Sequence, residues 1–206
     1  SVNVHIDKVQ VYDSEIAFRL RGPGRDIGAA ATITNTLIYD VDFAFRYEDD
    51  IETVNIWNVT LGLDVGEAFK EASSENTRPD VRNLLIVAEN LPIEAEGVSN
   101  LATDIESFID AELGDYHLVE SSSAIDAGEE IESIVDDLDG VERPNGEAID
   151  IGAYEYQFPD ALEEEAPQEE PESSEPEASE PGKESGCATV GSTSMVVLWM
   201  LLCIRR

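Results

Sequence analysis

Three basic residues recur at matching places along the chain: Arg19 in AFRL (17–20), Arg46 in AFRY (44–47) and Lys70 in AFK (68–70). Each follows a phenylalanine: Phe18, Phe45 or Phe69. A second recurrence is acidic, with Asp13 matching Asp40 and Glu15 matching Asp42. A row of bases beside a row of carboxylates can act on a polysaccharide in two ways. The bases can hold sugar carboxylates, and stacked carboxylates supply the hard oxygen ligands that calcium takes. Tyr12, Tyr39, Tyr47 and Trp57 add aromatic faces for sugar stacking, and Trp57 is the best placed of them. Arg19, Arg46, Lys70 and Trp57 are therefore the candidate glycan contacts, and Asp13, Asp40 and Asp42 are candidate metal ligands. A plainer reading weighs more. Glu15, Asp42, Glu48, Glu67 and Glu71 all lie within a few positions of these bases. Exposed opposite charges commonly neutralise one another, at less than about 1 kcal/mol per pair.

The elements that must carry these rows follow from the spacing. Ile6, Ile33, Ile56 and Val81 recur at intervals of 27, 23 and 25 residues. Each copy holds a short alternating strand, a corner at Lys8, Asn35, Asn58 or Asn83, and a second alternating strand. In the first two copies a third strand follows, with Ile16, Phe18 and Leu20, or Phe43, Phe45 and Tyr47, as its apolar positions. Asparagine suits the corner because it tolerates the left-handed backbone region. Three short strands per 23–27 residues describe a right-handed parallel β-helix, an all-β solenoid, with about four coils over 1–99. Ile6, Ile33, Ile56 and Val81 form one inward column; Val11, Ile38, Leu61 and Ile86 form another. A single coil cannot bury its own apolar face, so stacking supplies the partner. The period of 2 argues against helical repeats, and no leucine-rich consensus is present. RGPGRDIG at 21–28 is a loop between coils, which accounts for the longer first interval.

Charge excludes one class of partner. Forty-six acidic against 12 basic residues leave a net charge of −34, where a nucleic-acid partner needs a basic footprint. The cysteines, Cys187 and Cys203, both lie in the last 20 residues, so the globular part has no disulfide. His5 and His117 have no nucleophile at a telling spacing, and structural roles are expected for both. DDLDG at 136–140 spaces Asp137 and Asp139 like calcium ligands but lacks the rest of a twelve-residue calcium loop. Both stay on the roster of metal candidates. The chain opens inside a repeat, which suggests the C-terminal part of a longer, monomeric protein.

Beyond residue 97 the repeat fades, and 100–113 is either a short amphipathic helix or a degenerate coil. The blocks DYHL (115–118), AIDAG (124–128), DLDG (137–140), Arg143-Pro144 and DIGAYE (150–155) then follow in order. This set resembles the closing segment of bacterial surface β-helix proteins, the choice-of-anchor type, with Ser123 standing where that family has proline. The resemblance implies that 100–157 caps the last coil, whose open strand edges would otherwise invite aggregation. Residues 158–186 form a disordered linker: 160–186 hold ten Glu and four Pro against a single Lys. The tail at 187–206 has seventeen uncharged residues at 188–204 and ends in Arg205 and Arg206. Together with Cys187 it resembles the myxobacterial type of C-terminal sorting signal, which implies processing near Cys187 and attachment to the cell surface. A plain membrane anchor is the other reading of the tail.

Rows of bases and acids on a β-helix resemble the layout of pectate-lyase-like enzymes. In those, calcium acidifies a uronate proton and an Arg or Lys removes it. Here every base has local acids, so the expectation is an exported cell-surface module that binds extracellular polysaccharide, or displays other domains, without catalysis. The alternative is a calcium-dependent lyase or a glycosidase with active coils partly upstream.

Overall fold

The computed structural model describes residues 1–24, 27–72, 77–97 and 99–158. The expected linker beyond Phe158, the tail, Cys187, Arg205 and Arg206 lie outside the described residues. Among the described residues there are ten strands. In chain order the first seven are β1 (Val2–Val11), β2 (Ser14–Leu20), β3 (Ala29–Ile38), β4 (Val41–Tyr47), β5 (Ile51–Leu61), β6 (Val65–Glu71) and β7 (Asp80–Val87). Three short ones follow, β8 (Leu101–Thr103), β9 (Phe108–Asp110) and β10 (Asp115–Leu118). β1, β3, β5, β7 and β8 make one sheet in that order, and β2, β4 and β6 make another. The pairs from β1 to β8 are all parallel, while β9 and β10 pair antiparallel. The described chain is an all-β parallel β-solenoid of about three turns.

The predicted columns are in register. Ile6 pairs with Ile33, Ile33 with Ile56 and Ile56 with Val81; Val11, Ile38, Leu61 and Ile86 align likewise. Both columns lie in one core cluster, where Ile33, Ile38, Ile56 and Leu61 are fully buried. Phe18, Phe45 and Phe69 stack with ring centroids 5.7 and 5.6 Å apart. Such offset aromatic stacks add about 0.5–1.5 kcal/mol each beyond area burial.

Corners obey a backbone rule. Lys8, Asn35, Asn58 and Asn83 have φ of 57°, 44°, 54° and 52°, all in the left-handed region. Because this bend does not interrupt the ladder, the two predicted short strands on either side of it form one bent strand. Each complete coil therefore has two strands rather than three. A second left-handed corner falls at Asp13, Asp40 and Asp64, with φ of 53°, 52° and 55°. The recurrence of Asp13 and Asp40 thus has a conformational cause, since short polar side chains are the non-glycine residues that enter this region most easily.

Three further differences have physical reasons. Ala17, Ala44 and Ala68 join the core, whereas Ile16 and Phe43 do not; the alternation expected in β2 and β4 breaks beside the phenylalanines. The fourth coil keeps only β7. Pro92, which has no backbone N–H to give to a ladder, precedes a 3-10 turn at Ile93–Ala95 instead of a strand beside β6. Residues 100–113 form no amphipathic helix; β8 adds one short parallel rung beside β7, the remnant of a coil. They contain β8, β9 and two 3-10 turns, capped by the side chains of Asp104 and Asp110.

Closure of the stack is divided between two segments. Ala95 and Ala102 pack on the inner core. The Asn100 side chain accepts from Leu84 N at 2.8 Å and donates to Val81 O and Ala95 O at 3.0 Å. One side-chain amide thus satisfies the edge of β7 where β8 does not reach. Residues 108–156 take a different course from the end cap expected of them, lying along the flank of the larger sheet. Phe108, Tyr116, Leu118, Ile151 and Tyr154 form a second core with the outward residues Leu37 and Leu85. Tyr116 Oη accepts from Leu63 N, Ala153 N donates to Thr60 Oγ1, and Gln10 Nε2 donates to Tyr154 Oη, at 2.8, 2.9 and 3.0 Å.

Candidate functional site

The basic row exists as a row: Arg19 pairs in register with Arg46, and Arg46 with Lys70, across β2, β4 and β6. It is not a set of uncommitted bases. Glu48 accepts from Arg19 Nε at 2.8 Å and from its Nη2 at 3.0 Å, and its Oε1 lies 3.1 Å from Arg46 Nε. The hydrogen bond from Arg19 holds the Glu48 carboxyl below its usual range, with the charges of Arg19 and Arg46 acting in the same direction. Lys70 Nζ lies 3.0 Å from Glu67 Oε2 and sits over the Phe43 ring. The partner of Arg19 is therefore Glu48 in the next coil, not Glu15 in its own strand.

The acidic row gathers in an open depression of about 430 Å³ lined by Asp13, Glu15, Asp40, Asp42 and Asp64. Asp13 and Asp40 hold corners there, as does Asp64, which the sequence comparison passed over. Among the described residues, no group of three or more His, Cys, Asp or Glu side chains has the spacing to hold a metal ion.

At 136–140 the chemistry is internal to the fold. Asp137 is 1% exposed. Its Oδ1 accepts from Asp139 N and Val141 N at 2.9 and 2.8 Å, and its Oδ2 accepts from Glu155 N at 2.9 Å. With both oxygens occupied by backbone donors, Asp137 organises a turn and offers no outward ligand. Asp139 takes His117 Nε2 at 2.8 Å, while His117 Nδ1 meets Asp115 Oδ1 at 2.6 Å. Burial opposes the charged imidazole, yet these two carboxylates outweigh it and raise the His117 pKa. His117 also packs on Tyr154, with centroids 4.2 Å apart. It ties the flank segment to itself.

The remaining blocks of that segment have the same character. Asp126 Oδ1 accepts from Ala148 N, Asp150 Oδ1 from Asp126 N, and Glu155 Oε2 from Asn145 N, at 2.8, 2.7 and 2.8 Å. Irregular backbone has no ladder to satisfy its N–H groups, so buried carboxylates do it. Burial pushes the Asp150 carboxyl up to about 6.

A different surface has the shape of a binding site. Outward positions on the first halves of β1, β3 and β5 are Asn3 and His5, then Ala30, Thr32 and Thr34, then Asn55 and Trp57. An open slot of about 380 Å³ runs there, lined by Asn3, His5, Thr32, Thr34, Trp57 and Ser133. Its floor is the small residues of β3. Trp57 is half-buried, and its Nε1 donates to Asp80 Oδ2 at 3.2 Å. The Arg82 guanidinium lies over the ring, 5.7 Å from its centroid. Trp57 pairs with Thr34 on one side and Arg82 on the other, so the face opposite Arg82 looks into the slot. Arg82 itself is held by Asp80 at 3.1 Å and Glu129 at 2.9 Å. Of the sequence candidates, only Trp57 belongs here. Thr32, Thr34 and Ser133 were missed; the run Ala30, Thr32, Thr34, small and outward between two bulkier coils, was the available signal.

The fold and this surface define a parallel β-solenoid with an aromatic-walled slot on its larger sheet. Compared with known protein families, curated proteins and solved structures, the chain has no match. Among the described residues no helix is long and apolar enough to cross a membrane.

Proposed function

We propose that the chain is a non-catalytic polysaccharide-binding module of an exported, cell-surface β-helix protein. The carrying observation is the Trp57 slot, which joins an aromatic face to hydroxyl and amide groups. Sugars are recognised in that way, apolar ring face against an aromatic ring and hydroxyls against neutral polar groups. Export and surface attachment are supported by the tail, whose Cys187, apolar run and terminal Arg205 and Arg206 resemble a sorting signal. A calcium-dependent lyase is disfavoured because its general base must be free to take a proton. Arg19, Arg46 and Lys70 are each engaged by Glu48 or Glu67.

Affinity electrophoresis of the full chain through gels containing single polysaccharides tests the reading, with ultraviolet absorbance followed in parallel after adding calcium. Retardation that is lost in Trp57→Ala, with no rise in absorbance, is the expected result. A calcium-dependent rise from unsaturated uronides would replace binding by lysis.

A further inference from the structure

We infer that the Trp57 slot selects an uncharged sugar and rejects uronates, an inference that rests on the polysaccharide reading above. Its geometry sets the size of the guest. Walls on β1 and β5 stand two rungs apart, about 9.6 Å at an inter-strand spacing of about 4.8 Å. The floor between them is Ala30, Thr32 and Thr34, so one pyranose layer can enter edge-on and lay its face on Trp57. The guest chain then runs along the strand direction of β3, across the solenoid axis.

Hydrogen-bond polarity decides the charge of that guest. The Thr34 hydroxyl donates to Asp7 Oδ1 at 2.6 Å. With that proton committed, the 3.0 Å contact between His5 Nε2 and Thr34 Oγ1 has the imidazole as donor. Thr34, 2% exposed and closed off by these two contacts, has no proton to give the slot. Thr32 Oγ1 accepts from Asn55 Nδ2 at 3.1 Å, which leaves its own proton to donate. That proton and the exposed Asp7 carboxylate, in register with Thr34, match a sugar hydroxyl, which both gives and takes. A carboxylate, an acceptor only, would instead meet the Asp7 carboxylate, which lies across Thr34 from Trp57. The cation nearest Trp57, Arg82, lies across the ring and is already shared by Asp80 and Glu129. A net charge of −34 opposes an acidic polymer over longer range as well.

Isothermal titration of the full chain tests this with three probes: cellohexaose and xylohexaose, which are neutral, and hexagalacturonate, which is anionic. We expect at least one neutral probe to bind, and hexagalacturonate to bind at least tenfold more weakly at low ionic strength. Trp57→Ala should weaken the neutral probe at least tenfold. Because Trp57 also bonds Asp80, a second variant, Ala30→Leu, raises the floor while leaving every polar group in place. It should cause a similar loss with an unchanged circular dichroism spectrum. Binding of hexagalacturonate alone would overturn the inference and leave the polysaccharide reading standing. So would neutral binding indifferent to Ala30→Leu. If no probe binds, both readings fall.

Discussion

Replacing Arg143 by Met probes whether the blocks at 115–156 are structural. Arg143 and Glu155 form an ion pair with both side chains at 0% exposure. Arg143 also donates to Gly152 O at 2.8 Å and to Asp150 O at 3.3 Å. Methionine fills much of the same volume but strands the Glu155 carboxylate among apolar atoms and backbone. Removing one partner of a buried pair costs about 3–5 kcal/mol. With a urea slope of roughly 2 kcal/mol per molar, the midpoint of the full chain should fall by about 2 M in far-ultraviolet circular dichroism. The loss should shrink with acidification, because protonation of an unpaired carboxylate removes the buried charge. Asp150 sharpens the pH test. Its folded value of about 6 lies above the unfolded one, so its contribution to stability is full at low pH and is lost as pH rises through about 6. A midpoint shift below about 0.5 M, near 1 kcal/mol on the same slope, or a loss independent of pH, would refute the account of these blocks as a buried charge network.

Position along the stack should govern core substitutions: Phe45→Ala, with a stacked ring on each side, should cost about 4 kcal/mol. Phe18→Ala, with one such neighbour, should cost distinctly less in the same urea titration. Asn100→Leu leaves Leu84 N without an acceptor and should destabilise by about 1–3 kcal/mol, with faster hydrogen exchange at Leu84. The raised pKa of His117 means that its contribution is full below about 6.5 and fades as pH climbs through the folded value. The stability difference between the parent and His117→Asn should therefore close at alkaline pH, and a constant difference would refute it.

Much of the solenoid was legible because its rules are local and repeated. The period-2 alternation placed the inward columns, and asparagine at successive corners announced the left-handed bend. Asp13 and Asp40 were harder. An aspartate that turns the chain and an aspartate that binds a metal recur in the same manner, and only φ separates them. Glu48 was one of several acids near Arg46, but its reach to Arg19 depends on the distance between coils. The slot was hidden for a related reason: it is a step in height between neighbouring strands, and alanine and threonine have no chemical signature of their own. The blocks of the flank segment stand out in the sequence, but the sheet face they cover does not. A sequence read in one dimension shows which acids are present without showing which backbone amides they serve.

The flank segment has a consequence for how the molecule comes apart. A bare solenoid behaves as a row of units, each held only by its neighbours, so its ends fray one rung at a time. Here Asp136 reaches Lys8 in the first coil at 2.7 Å, Tyr116 meets Tyr39 in the second at 5.3 Å, Ala153 reaches Thr60 in the third and Gly152 bonds Asn83 in the fourth at 3.0 Å. A single strap thus spans every rung. Pulling on the first coil loads the last one through it, and the array is built to open all at once rather than to unzip. That converts a string of weak links into one resistant to partial unravelling and to the proteolysis that follows it.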